Sequence, residues 1–130
     1  MEHYDITIIG GGSGGLTAAR TAVALGARVL LVDKERVGGD CLRYGCVPSK
    51  SLIHVAKVAR QARDAAALGL VTGDVGVDMA KVSAYVQGVI DRVEKNERVY
   101  AEGVTVKFGR VTFASPRELE LNGERIGSRG

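Results

Sequence analysis

The 130-residue chain has no Trp, only two Pro, two Cys and two Met, and aromatic residues make up 5% of it. So few aromatic rings leave little on which unpaired bases could stack. Basic residues are interleaved with acids, 18 Lys and Arg against 15 Asp and Glu. The resulting charge of +3 is too small and too scattered for a nucleic-acid footprint. No apolar run approaches the roughly 20 residues needed to span a bilayer. The N-terminal run, Ile6 to Ile9, is too short for a signal-peptide core and is preceded by Glu2 and Asp5. Two Cys cannot staple a secreted scaffold, which needs four or more. The expectation is one cytoplasmic globular domain that binds neither membrane nor nucleic acid. With 45% hydrophobic and 25% charged residues, the chain has globular composition.

What the chain has in excess is glycine, 18 in all, and much of it is clustered. Ile6 to Ile9 reads as a strand buried on both faces. Gly10, Gly12 and Gly15 then satisfy G-x-G-x-x-G, and an Ala-rich helix from Leu16 to Leu25 is capped by Gly26. Ala27 to Val32 reads as a second buried strand that ends at Asp33, 18 positions after Gly15.

This order suits a dinucleotide pyrophosphate. The N-terminus of a helix offers unpaired N–H groups and partial positive charge to the dianion, and glycines let the backbone approach it. An acid at the second strand's end accepts hydrogen bonds from the adenosine ribose and repels a 2′-phosphate. The fingerprint therefore points to the ADP moiety of FAD or NAD rather than NADP, and does not choose between the first two.

Residues 38–50 read GGDCLRYGCVPSK. The four-residue gap between Cys41 and Cys46 fits neither a zinc knuckle nor a thioredoxin-like site, and His54 alone completes no metal set. Pro48 suits the first turn of a helix through Leu52, Val55 and Ala59, which puts Cys46 at its N-terminus and Lys50 one turn on. Both surroundings favour a thiolate at Cys46, leaving Cys41 for exchange with an external thiol or disulfide.

YDITIIGGGSGGLTAAR, VLLVDK and GGDCLRYGCVPSK together resemble the N-terminal FAD half-domain of the class I pyridine nucleotide–disulfide oxidoreductases. That family includes dihydrolipoamide dehydrogenase, glutathione reductase and mercuric reductase. The resemblance implies an α/β, Rossmann-like FAD-binding domain, incomplete here, with a parallel sheet, covering helices and a small antiparallel meander. It implies that Cys41 is the interchange thiol and Cys46 the thiol facing the flavin. Gly10, Gly12, Ser13, Gly14 and Gly15 would lie at the pyrophosphate, Asp33 and its neighbour Lys34 at the adenosine. Gly39, Asp40 and Cys41 would line the flavin side, with Lys50 near flavin N5, and the backbone of Gly109, Arg110 and Val111 would meet the adenine. Where the family usually has Glu and Thr, this chain has Asp33 and Asp40; Asp40 and Tyr44 lean towards mercuric reductase.

The same resemblance implies electron flow from NAD(P)H through FAD to a Cys41–Cys46 disulfide, and on to a disulfide, thiol or metal-ion substrate. The intact enzyme would be a homodimer. Residues 1–130 would be only the N-terminal part of its FAD domain, without a second glycine fingerprint or a dimerisation domain, and inactive alone. Two other readings are a non-catalytic nucleotide- or soft-metal-binding module, and an NAD-dependent dehydrogenase with incidental cysteines.

Further along, the spacing predicts a helix from Lys50 to about Leu68 with Gly69 as cap. Asp78 is expected to cap a second helix that ends at Gly103, the two forming an antiparallel pair that covers the cofactor domain, with His54 partly exposed in the first. Val104 to Phe108 is expected to return to the sheet. Val111–Phe113, Glu118–Leu121 and Glu124–Ile126 are expected to form a meander with Asn122-Gly123 as a type I′ turn.

Overall fold

A computed structural model describes residues 1–100 and 102–130, at 98–100 the backbone alone. The chain divides into two compact units, 1–40 with 94–130, and 41–93.

The first unit is built on one strand. β1 (Glu2–Tyr4) and β2 (Ile6–Ile9) lead into α1 (Ser13–Ala24) and then β3 (Val29–Asp33). β3 pairs in parallel with β2 on one side, and on the other with β4 (Thr105–Phe108). Its residues alternate in destination, as a pleated strand requires. Leu31 packs with Leu16 of α1 and with Val37, while Leu30 and Val32 pack with Tyr4, Leu121 and Ile126. Both faces are thus covered, which explains the uninterrupted apolar run of β3. β2 departs from the same expectation. It lies at the sheet's edge, and Ile9 is 52% exposed.

The meander forms as expected from β5 (Val111–Ser115), β6 (Glu118–Leu121) and β7 (Glu124–Ser128), paired antiparallel. Asn122 (φ +53°) and Gly123 (φ +85°) both have positive φ, as a type I′ turn demands. β1 was not anticipated. It adds to β7 in parallel and makes this a four-stranded mixed sheet, too short for its polar-rich EHY to show a strand period.

The second unit holds most of α2 (Gly39–Arg43), then α3 (Cys46–Asp64), a 3-10 turn (Ala65–Leu68) ending at Gly69, and the first part of α4 (Met79–Tyr100). Asp78 caps α4 as expected, its Oδ1 accepting from the N–H groups of Ala80 (3.1 Å) and Lys81 (3.2 Å). α3 begins at Cys46, the helix N-terminus expected from Pro48, whereas α1 begins at Ser13, three residues before Leu16, among glycines whose turn character hid it. His54 is exposed. Among the described residues no helix is long and apolar enough to cross a membrane.

Candidate functional site: a glycine turn, a cavity beside Asp33 and a dithiol

Between β2 and α1 the backbone reverses within three residues. Gly10 N–H donates to Val32 O at 2.7 Å, and α1 starts at Ser13 after Gly12. No side chain caps this helix end, and its first turn carries no acid. Its N–H groups and positive dipole end are therefore left for an external anion. A Cβ on Gly14 would meet open space, whereas one on Gly15 would collide with the carbonyl oxygen of Gly10. The two glycines thus do different work: Gly15 lets helix meet strand, and Gly14 leaves the approach to the helix end clear.

Asp33 is tied to this turn. Its Oδ2 accepts from Gly11 N–H at 2.7 Å and its Oδ1 from Glu35 N–H at 3.1 Å. Burial raises its pKa, but backbone N–H donors, Gly11 foremost, outweigh that and hold the carboxyl below its ordinary value. Each oxygen keeps a lone pair for a further donor such as a ribose hydroxyl. Gly11 falls at the free position of the fingerprint, so the spacing alone did not single it out. A Cβ at Gly11 would stand 3.2 Å from Asp33 Oδ2, a tight contact that glycine spares.

Next to Asp33 lies a cavity of about 280 Å³ lined by Ile9, Gly10, Val32, Asp33, Lys34, Gly109, Arg110 and Val111. Six of these are residues expected at a cofactor, brought together from three separate stretches of chain. Ile9, the last residue of β2, and Val32, next to the last of β3, join them. Gly39 packs against the turn, since a Cβ on it would stand 2.9 Å from Gly12 Cα. Ser13 is exposed at the first position of α1, and Asp40 is exposed in the first turn of α2.

In the second unit, Cys41 lies on α2 and Cys46 opens α3. Both are exposed thiols. Gly45 precedes α3 without any side-chain cap, Ser49 Oγ donates to Cys46 O at 3.2 Å, and Lys50 is exposed. The hydrogen-bonded, ionisable Cys41 sulfur beside it pushes the Cys46 thiol above its ordinary value, and Lys50 pulls more weakly the other way. This differs from the expectation of a depressed Cys46 pKa, which counted the helix end and Lys50 but not the second sulfur. A close dithiol loses its protons in two steps, and the first thiolate holds back the second proton. Cys41→Ala is accordingly expected to lower the pKa of Cys46, since it removes the two largest causes of the rise. Thiolate absorbance near 240 nm followed against pH checks this; an unchanged or higher Cys46 midpoint would contradict it.

The match to known proteins covers both units. Residues 4–128 fit the model of a family described as pyridine nucleotide-disulphide oxidoreductase. The chain belongs to that family. It is similar to a dihydrolipoyl dehydrogenase of Thermus scotoductus (36% identical over 130 residues, 98% of this chain and 28% of the relative). A dihydrolipoyl dehydrogenase of Bacillus subtilis is 44% identical over 91 residues, covering 70% of this chain and 19% of the relative. A glutathione reductase of Schizosaccharomyces pombe is 36% identical over 125 residues, covering 92% and 26%. The chain thus spans 19% to 28% of the length of these relatives. In this family context the glycine turn and the dithiol are parts of one chain segment.

Proposed function

We propose that the chain is the FAD-binding, dithiol-carrying portion of a disulfide oxidoreductase. The observation that carries this is the cavity between Asp33 and the 109–111 backbone, adjoining a glycine turn with an uncapped helix end. FAD fits these donors. The turn and the N-terminus of α1 would hold its pyrophosphate, with Gly12, Ser13, Gly14 and Gly15 at closest approach. Asp33 would accept from the ribose hydroxyls, and Lys34, Gly109, Arg110 and Val111 would border the adenosine. When bound, FAD would supply the two-electron chemistry that joins a nicotinamide donor, NAD(P)H, to a thiol pair. Gly39, Asp40 and Lys50 are proposed for its flavin side.

The thiols do the rest by exchange. The Cys41 thiolate attacks one sulfur of a substrate disulfide, and the other half leaves as a thiol after taking up a proton. Cys46, once deprotonated, attacks Cys41 in the mixed disulfide and releases the second thiol, so that two electrons pass from protein to substrate and the Cys41–Cys46 bond remains. Dihydrolipoamide oxidation runs the same exchange in reverse. The relatives are named for a dithiol and for glutathione, so the substrate proposed is a small-molecule disulfide or dithiol. The setting proposed is a homodimeric enzyme of the cytoplasm.

The test is the visible spectrum of the chain mixed with FAD, before and after anaerobic two-electron reduction. The expected result is protein-bound flavin with a long-wavelength band after reduction, arising from thiolate donation to the flavin, and loss of that band in Cys46→Ser. Bound flavin without the band would overturn the dithiol's part in the reading. Folded protein that binds neither FAD nor ADP would overturn the cofactor site itself.

A further inference from the structure

Gly109, Arg110 and Val111 line the cavity together with Asp33, and the backbone of this stretch stays where its hydrogen bonds hold it. Besides the β5–β6 pairing of Val111 with Leu121, two contacts hold this stretch. Gly109 N–H donates to Asp33 O at 2.9 Å, continuing the β3–β4 ladder to the cavity's edge. The second comes from the far end of the meander, where Asn122 Nδ2 donates to Phe108 O at 2.9 Å. The same amide lies over Gly109: a Cβ there would collide with Asn122 Oδ1. Gly109 adopts φ +151° beneath it.

Asn122 is also the first central residue of the type I′ turn, where φ is +53°. That position explains a residue tolerant of positive φ, which Gly or Asp would serve equally. It does not explain an amide aimed across 14 residues of sequence at Phe108 O. We propose that Asn122 is a positioning residue for the adenosine side of the nucleotide site, a role that rests on the cofactor reading above. Its amide clamps the 108–110 backbone between the hairpin tip and Asp33, so that the wall meets the adenosine preformed. Without it, nucleotide binding must order that wall, at the expense of affinity.

The turn requirement and the clamp separate in two variants. Asn122→Gly keeps positive φ and loses the amide. Asn122→Asp keeps the turn and an acceptor but has no N–H to donate. Calorimetric titration of the 130-residue chain with ADP, and separately with inorganic pyrophosphate, reads the outcome; high salt screens the charge that the Asp variant adds. The expected result is about three- to tenfold weaker ADP binding in both variants, the loss of one neutral hydrogen bond. Pyrophosphate, which touches only the glycine turn, binds as before, and the amide resonances of the hairpin are retained. Unchanged ADP affinity in either folded variant overturns the proposal. So does an equal loss for ADP and pyrophosphate, or loss of the hairpin resonances in both variants, since either assigns Asn122 to the fold at large. If the parent chain binds neither ligand, the cofactor reading fails and this role with it; if the parent binds ADP and the variants match it, only the positioning role fails.

Discussion

Gly15→Ala is expected to destabilise the chain by about 3 kcal/mol, at the upper end of the range for an added methyl in a packed interior. The reason is where the methyl would go. It would run into the carbonyl oxygen of Gly10, with the Gly10 carbonyl carbon at 3.0 Å and Ile8 Cγ2 at 3.4 Å behind it. Backbone atoms cannot rotate aside as a side chain would, so α1 must lift away from β2. That movement pulls Leu16 from Leu31 and Val37, which together form one of the two core clusters of the first unit. Gly14→Ala is the control. Its Cβ meets nothing within 4 Å, and it lies within α1, where Ala is a better helix former than Gly. It should leave stability unchanged or raise it by up to about 1 kcal/mol, while its methyl stands where a pyrophosphate would approach. Urea unfolding of the two variants, with ADP titration alongside, checks the contrast. Gly15→Ala as stable as the parent would mean that the close contact of helix and strand is not needed.

The same turn shows what a sequence can and cannot announce. The strand–glycine–helix–strand–acid order was legible because each part leaves its own mark: an apolar run, residues without side chains, Ala at helical spacing, an acid at a strand end. The hairpin was legible from Asn122-Gly123 alone, since few pairs tolerate two positive φ values. The cavity's membership was legible only through resemblance. Gly109, Arg110 and Val111 carry no residue signature that marks them for a cavity, and they lie 76 to 78 positions beyond Asp33. Asn122's second role was hidden because a turn residue already had a sufficient reason to be Asn. The raised pKa of Cys46 was hidden for a different reason. Helix position and a neighbouring Lys can be read along the chain, but the proximity of two sulfurs on different helices is a property of the turn at Tyr44 and Gly45 between them. β2 shows the limit of an apolar run as a guide: ITII and VLLV look equally buried, yet one lies at an edge and the other at the centre.

Asp33 should have the second large effect, and it should show in both stability and binding. Asp33→Asn keeps the shape of the side chain but can offer an acceptor to only one of the two N–H groups that Asp33 now serves. With its oxygen towards Gly11 N–H, its NH₂ must face Glu35 N–H, donor against donor. Loss of a charged acceptor with a donor left unpaired is expected to cost about 1–3 kcal/mol. For ADP, a neutral amide replaces a carboxylate as acceptor for the ribose hydroxyls, and affinity should fall roughly 10- to 100-fold, as for charge-assisted hydrogen bonds. The pH dependence has a definite sign. The folded-state pKa of Asp33 lies below its unfolded value, close to 3.9. Its contribution to stability is therefore fully present above about pH 4 to 5 and is lost as pH falls through the folded pKa. Unfolding curves of parent and Asp33→Asn taken from pH 7 to pH 3 should be well separated at neutral pH and converge at the acid end. A constant separation across that range would mean that the carboxylate's charge is not what holds Gly11 and Glu35, and the turn would then owe its shape to the glycines alone.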